Sequence, residues 1–301
     1  MRKNRIDTSI LLAAVLAIVG VAGWRILHVH SMFNRTRTIA VSALLALCAG
    51  CCVRPPQEFG ELTRIGHGKT DKADNHRYTV IYEHLFAPLR CSPIRLCEIG
   101  IGGGGSLRMW SEYFRKSTVF GIDIYSLDQL HAWMRNSGFP DFLPDKPDTG
   151  RIKTFVADQA NREQLKRFID ASGGDFDIVL DDGGHTMEQQ QTSFGFFFKY
   201  VKPGGYYVIE DVHTSLPELY RGYGVQDNEA NTTLTMINLF IRHGRIQSQY
   251  LRRDEIEYLN SHIEYANLFS RRNQLASISL TCIFQKKTQN SPKFTGLDSA
   301  R

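Results

Sequence analysis

Two short apolar runs in this 301-residue chain each end in a pair of acids. The run at residues 178–180 stops at Asp181-Asp182, with His185 three residues beyond, and the run at residues 206–209 stops at Glu210-Asp211. If both runs are neighbouring parallel strands of an open α/β sheet, they end on one edge, and such sheets bind ligands in the crevice outside their carboxyl ends. Four carboxylates and an imidazole would then converge there. Hard divalent cations such as Mg²⁺ or Mn²⁺ take oxygen ligands of this kind, and a neutral imidazole beside them can receive a proton. Acids after strands also serve as turn residues and helix N-caps. That is an adequate account of one pair; two pairs, one with a histidine, read better as a functional site.

The elements that must position these groups follow from periodicity. A strand at residues 94–99 runs into Gly100, Gly102 and Gly105 with the spacing G-x-G-x-x-G, then Ser106 and a helix at 107–116. A glycine loop between strand and helix lets backbone approach a ligand and aims amide N–H groups at it. A second strand, 119–123, ends in Asp123, an acid suited to a ribose diol. Then come a helix at 128–136, a strand at 152–157, a helix at 162–171, a strand at 176–180, a helix at 186–200, a turn at 202–205 and a strand at 206–209. Two closing strands are expected at 262–270 and 277–286. This alternation predicts a Rossmann-like α/β fold, a mostly parallel, seven-stranded sheet with helices on both faces.

Several segments carry two readings. Asp158-Gln159, at the end of the third strand, could bond an adenine edge or cap the next helix, with equal weight. The polar stretch 66–72, ahead of a helix at 76–89, is either near the ligand or a solvated loop. Phe194 and residues 196–198 read as core packing. Residues 214–228 stand where a substrate lid would be placed, before a helix at 234–242. These features alone do not separate a nicotinamide-dinucleotide fold from an S-adenosylmethionine fold. Glu98, inside the first strand just before the loop, favours the second, because dehydrogenases usually carry a small or apolar residue there.

Composition sets outer bounds. With 42% hydrophobic and 22% charged residues, the chain can bury one large domain plus an appendage. Its formal charge of +5 is mild, and part of it comes from Arg2, Lys3, Arg5, Arg25, Arg35 and Arg37. No basic block interleaved with aromatics appears, so no nucleic-acid partner is expected. Apolar runs at 10–24 and 39–53 each follow basic residues and are shorter than the ~20 residues of a comfortable membrane helix. Counted from Met32, the second has the form of a lipoprotein signal ending at Cys51. Three readings stay open: membrane attachment through residues 10–53, an export signal, and an extension from a misplaced start codon. Residues 1–55 are therefore read as a leader, 56–286 as the folded domain and 287–301 as a disordered tail. Cys91, Cys97 and Cys282 make neither a disulfide framework nor a zinc spacing.

Taken together, Thr70-Asp71-Lys72, Tyr78-Thr79, Ile81-Tyr82-Glu83, residues 86–89, residues 96–110, the DDGGH segment from Asp181 to His185 and the IED segment from Ile209 to Asp211 resemble the macrolide-sugar O-methyltransferases of the mycinamicin and macrocin type. The resemblance covers roughly residues 60–215. It implies a class I, S-adenosylmethionine-dependent and Mg²⁺-dependent enzyme with a cytoplasmic catalytic domain. Asp182, Glu210 and Asp211 would be metal ligands and His185 the general base. The cosubstrate would be held by Glu98, Gly100, Gly102, Ser106, Asp123, Asp158, Gln159 and Asp181. The acceptor would be a hydroxyl of a sugar or glycosylated natural product. A catechol-type small-molecule O-methyltransferase and a non-catalytic S-adenosylmethionine-binding module are the alternatives. Homo-oligomer formation is left open.

Overall fold

Strands buried on both faces read as nearly unbroken apolar runs; of the five parallel strands of this chain the first, second and fourth come nearest to that, while the third is partly exposed and the fifth carries Lys202-Pro203-Gly204-Gly205. In the computed structural model the five are β1 (Arg95–Ile99), β2 (Thr118–Asp123), β3 (Ile152–Val156), β4 (Phe176–Asp181) and β5 (Val201–Ile209). The structure describes residues 60–146, 150–218, 221–224, 230–272, 278–289 and 291. All lie in one compact unit, Glu58–Arg301. The expected leader, with its apolar stretch at 10–53, lies outside the described residues, as does most of the expected tail. Among the described residues no helix is long and apolar enough to cross a membrane.

The five strands pair in parallel in the order β3-β2-β1-β4-β5. β7 (Ile278–Lys286) then pairs antiparallel with β5 and with the edge strand β6 (Ile263–Arg272), completing the seven-stranded sheet. Side chains alternate between faces, and the core divides accordingly. Cys97, Ile99, Val179, Tyr207 and Ile209 pack on one side with Phe168, Phe194 and Phe197. Leu96, Ile178, Leu180 and Val208 pack on the other with Tyr82, Phe86, Leu107 and Trp110. The phenylalanines around 194–198 are buried, as the sequence reading expected.

Among the described residues, three helices precede the sheet: α1 (Glu61–Gly66), α2 (Asp71–Asp74) and α3 (Tyr78–Phe86). α4 (Gly105–Tyr113), α5 (Leu127–Ser137), α6 (Arg162–Ser172) and α7 (Met187–Phe197) follow β1, β2, β3 and β4 in turn, with α8 (Thr233–His243) and α9 (Arg253–His262) before β6. Ser126 and Thr186 close capping boxes with Gln129 and Gln189, and so begin α5 and α7.

Several segments differ from expectation, α1 and α2 among them, which form where no helix is expected. The Lys202-Pro203-Gly204-Gly205 turn is absorbed into β5, because the β4–β5 register slips between Phe176↔Val201 and Ile178↔Tyr206. α9 has no counterpart in the sequence reading. Its anchor is long-range: Arg162 grips Glu255 with Nε to Oε1 at 2.8 Å and Nη2 to Oε2 at 2.8 Å, a paired geometry that local periodicity does not encode. The expected lid is described only in part; residues 212–215 and 221–223 form single 3₁₀ turns.

Gly105 fixes where the first helices sit. A Cβ there would stand 1.8 Å from the carbonyl oxygen of Lys69, so backbone packs directly on backbone and presses the chain before α2 onto the start of α4. Helix propensity alone would make Gly105→Ala stabilising by about 1 kcal/mol. The overlap with backbone outweighs it, and we expect a net loss of about 1–3 kcal/mol, read by thermal unfolding. A stabilised Gly105→Ala protein would contradict this packing.

Candidate active site

Register brings the acids together. Glu98 on β1 lies beside Leu180 on β4, and Leu180 beside Val208 on β5. Residues two steps on face the same way, so Glu98, Asp182 and Glu210 share one side of the sheet at its carboxyl edge. The Asp182 N–H still donates to Ile99 O at 2.9 Å, and the Glu210 N–H to Asp181 O at 2.9 Å, which holds both strand ends beyond the formal sheet. Gly100, at φ 90°, is needed here: a Cβ would meet Asp182 O at 2.0 Å.

His185 and Asp211 both adopt left-handed backbone, with φ of 58° and 51°. Such conformations are uncommon for residues other than glycine and gather at functional sites. His185 Nε2 lies 3.8 Å from Asp182 Oδ1 and 3.6 Å from Asp211 Oδ2, and its Nδ1 is buried without a hydrogen-bond partner. One donor atom each from Asp182, His185 and Asp211 falls within 4.8 Å of the others. Asp211 Oδ1 accepts a bond from the Tyr78 hydroxyl at 2.9 Å.

Glu210, expected as a third carboxylate ligand, is not in that group. Its Oε2 accepts from Lys72 Nζ at 2.9 Å and its Oε1 from the Tyr82 hydroxyl at 2.8 Å. Lys72 is 1% exposed; it also bonds Asp182 Oδ2 and stands 3.3 Å from Glu98 Oε1. Glu98 Oε2 accepts from Ser106 Oγ at 2.8 Å. Three carboxylates thus crowd around one ammonium group. Burial raises Glu98 to about 7 and pushes Asp182 and Glu210 up, with Lys72 opposing in each case. Burial acts on Asp211 in the same sense, but His185, His76, His213 and the Tyr78 bond outweigh it and hold Asp211 below the usual carboxylate value. Burial would lower Lys72, yet Asp182, Glu210 and Glu98 carry it well above the ordinary lysine value.

The residues expected to hold a cosubstrate divide. Gly102 has open space where a Cβ would stand. Asp123 Oδ2 accepts from the N–H groups of Ile101 at 2.8 Å and Gly102 at 3.3 Å, so the acid that ends β2 also shapes the glycine loop. Asp158 accepts from Ala160 N–H at 2.8 Å within a local turn, and the next helix is capped by Asn161 instead. Gln159 is turned inward: it donates to Asp181 Oδ1 at 3.0 Å and accepts from Gly184 N–H at 2.6 Å. Asp181 is fully buried on the opposite face from Asp182, where Ser193, Tyr207 and Gln159 donate to it. Neither Gln159 nor Asp181 presents free polar atoms to a ligand, contrary to expectation; strand alternation sends Asp181 to the far side.

Lys72, Tyr78 and Tyr82 had no assigned role in the sequence. The stretch 66–72 carries two readings, near the ligand or solvated, and Lys72 is buried among the acids rather than solvated; its partners Asp182 and Glu210 stand 110 and 138 residues away.

Residues 97–212 match the family described as "Methyltransferase domain". The seven-stranded sheet has the Rossmann-like fold of class I methyltransferases. The chain's similarity within that class is to enzymes that methylate sugars of glycosylated natural products. The chain is 35% identical over 209 residues to the 8-demethyl-8-alpha-L-rhamnosyl tetracenomycin-C 2'-O-methyltransferase of Streptomyces olivaceus, a match covering 67% of this chain and 49% of that protein. It is 36% identical over 202 residues to the mycinamicin VI 2''-O-methyltransferase of Micromonospora griseorubida, covering 64% and 45%. Among solved structures, the MycE methyltransferase in complex with Mg, SAH and mycinamycin VI superposes with a TM-score of 0.58 at 26% identity, over 88% of this chain and 66% of that one. The chain spans about half the length of the curated relatives it matches.

Because Asp181 serves the framework, Tyr207→Phe should cost about 1–3 kcal/mol by stripping one donor from a buried carboxylate, measured in urea. S-adenosylhomocysteine affinity should stay near wild type. A large loss of that affinity with unchanged stability would return Asp181 to the ligand side.

Proposed function

We propose that the domain, residues 56–286, transfers a methyl group from S-adenosylmethionine to a hydroxyl of a sugar on a glycosylated natural product, with the help of a divalent cation. The observation that carries this reading is the convergence of Asp182, His185 and Asp211 at the carboxyl edge of β4 and β5, next to the glycine loop after β1. Relatives named as sugar O-methyltransferases support the acceptor class.

The donor set suits a hard cation: carboxylate oxygens from Asp182 and Asp211, with Glu210 beside them. These residues would hold Mg²⁺ or Mn²⁺, which when bound lowers the pKa of a hydroxyl and fixes its direction. His185 then has one task, receiving the hydroxyl proton at Nε2; Asp182 and Asp211, flanking that nitrogen, stabilise the imidazolium that results. The acceptor oxygen forms its bond to the methyl carbon as the bond from carbon to the sulfonium sulfur breaks. Glu98, fixed by Ser106, and the glycine loop shaped by Asp123 hold the cosubstrate end, so that in-line approach supplies much of the acceleration.

Three measurements test this together. EDTA should abolish methyl transfer to a panel of deoxysugar glycosides, and added Mg²⁺ or Mn²⁺ should restore it. Asp182→Ala should bind S-adenosylhomocysteine but not the metal. His185→Gln should keep both ligands and lose about 10²–10⁴-fold in kcat. Full activity in EDTA would refute the metal's part, and full activity of His185→Gln would remove the histidine from proton transfer. Transfer to catechols alone would replace the acceptor class.

A further inference from the structure

Lys72 reaches the acids on a rigid mount. α2 is a single turn capped by Thr70, and the chain before it is pressed onto α4 at Gly105. The neighbouring Gly66 is equally confined, its missing Cβ 2.6 Å from Met109 Sδ and 2.8 Å from Ala73 Cβ. At the far end, Asp182 is held through its own backbone against Gly100. Neither partner can withdraw without moving a packed backbone.

Asp182 therefore serves two sides. Its Oδ2 bonds Lys72, while its Oδ1 faces His185 in the donor cluster shared with Asp211. Any divalent cation held by that cluster has to share Asp182 with an ammonium that is already in place. Within a few ångströms, at a site largely screened from water, like charges repel.

We propose that Lys72 is a resident counter-cation of the acidic site, holding Asp182 and Glu210 together when no metal is bound and competing with the divalent ion for Asp182, so that metal binding is weakened and kept exchangeable. This rests on the reading of Asp182 and Asp211 as a divalent-cation site beside His185. A lysine that only braced the acids would have the opposite signature, because its loss would splay them and weaken metal binding.

The test is calorimetric titration of the full chain with Mn²⁺ alone, on wild type and Lys72→Met, without cosubstrate or acceptor, alongside thermal unfolding in EDTA. We expect Lys72→Met to bind Mn²⁺ at least about tenfold more tightly than wild type. In EDTA it should melt below wild type, and Mn²⁺ should raise its Tm by more than it raises that of wild type. Should Lys72→Met not fold, Lys72→Gln, which keeps a hydrogen-bond donor without the charge, is read in the same way. Equal or weaker Mn²⁺ binding by the variant overturns the proposal. Absence of Mn²⁺ binding in both proteins overturns it together with the metal site on which it rests. The titration involves no turnover, so a failed acceptor screen, which counts against the methyl-transfer reading, leaves the result standing.

Discussion

The site depends on one electrostatic constraint: carboxylates brought to a single buried edge must be neutralised or kept apart. Register places Glu98, Asp182 and Glu210 on the same face of three adjacent strands, and Asp211 follows at once in the chain. Removing ions from water costs several kcal/mol apiece even after relaxation. The sheet can carry these acids because Lys72 lies among three of them, Tyr82 bonds Glu210 and Tyr78 bonds Asp211. All three compensating groups come from the helices ahead of β1. That region is therefore a wall of the site as well as an entry to the fold.

Geometry is stored in backbone as much as in side chains. Gly100 lets the end of β1 touch the carbonyl of Asp182, and Gly105 lets the chain before α2 touch the start of α4. Left-handed His185 and Asp211 turn the chain sharply just past β4 and β5, aiming an imidazole and a carboxylate back at each other. Two strained residues facing across one edge are expensive, and the packed sheet behind them, with Phe194 against Tyr207 and Phe284, supplies the rigidity that keeps them so.

A division of labour follows from the alternation of β4. Asp182 points toward the helices ahead of β1, while Asp181 points into the opposite layer and binds Ser193, Tyr207 and Gln159. Adjacent identical residues thus do different work. One faces His185 and Asp211 in the donor cluster, and the other ties α7, β5 and the loop after β3 to the same strand.

By itself the sequence determined the alternating architecture, the seven-stranded sheet, the glycine loop and the edge on which the acids gather. Those features are local: apolar runs have a period, glycines have a spacing, and a strand's last residues lie at its end. It also marked Asp182, His185, Glu210 and Asp211 as candidates, because each follows closely on the end of an apolar run. Only the tertiary structure decided that Glu210 is bonded to Lys72 and Tyr82, that Asp181 and Gln159 turn away from the ligand side, and that α9 forms against Arg162. Each of these hangs on a partner brought from far along the chain or from another layer of the sheet. Hydrophobic period reports which face a residue takes, and it carries no information about which distant charge will be waiting there.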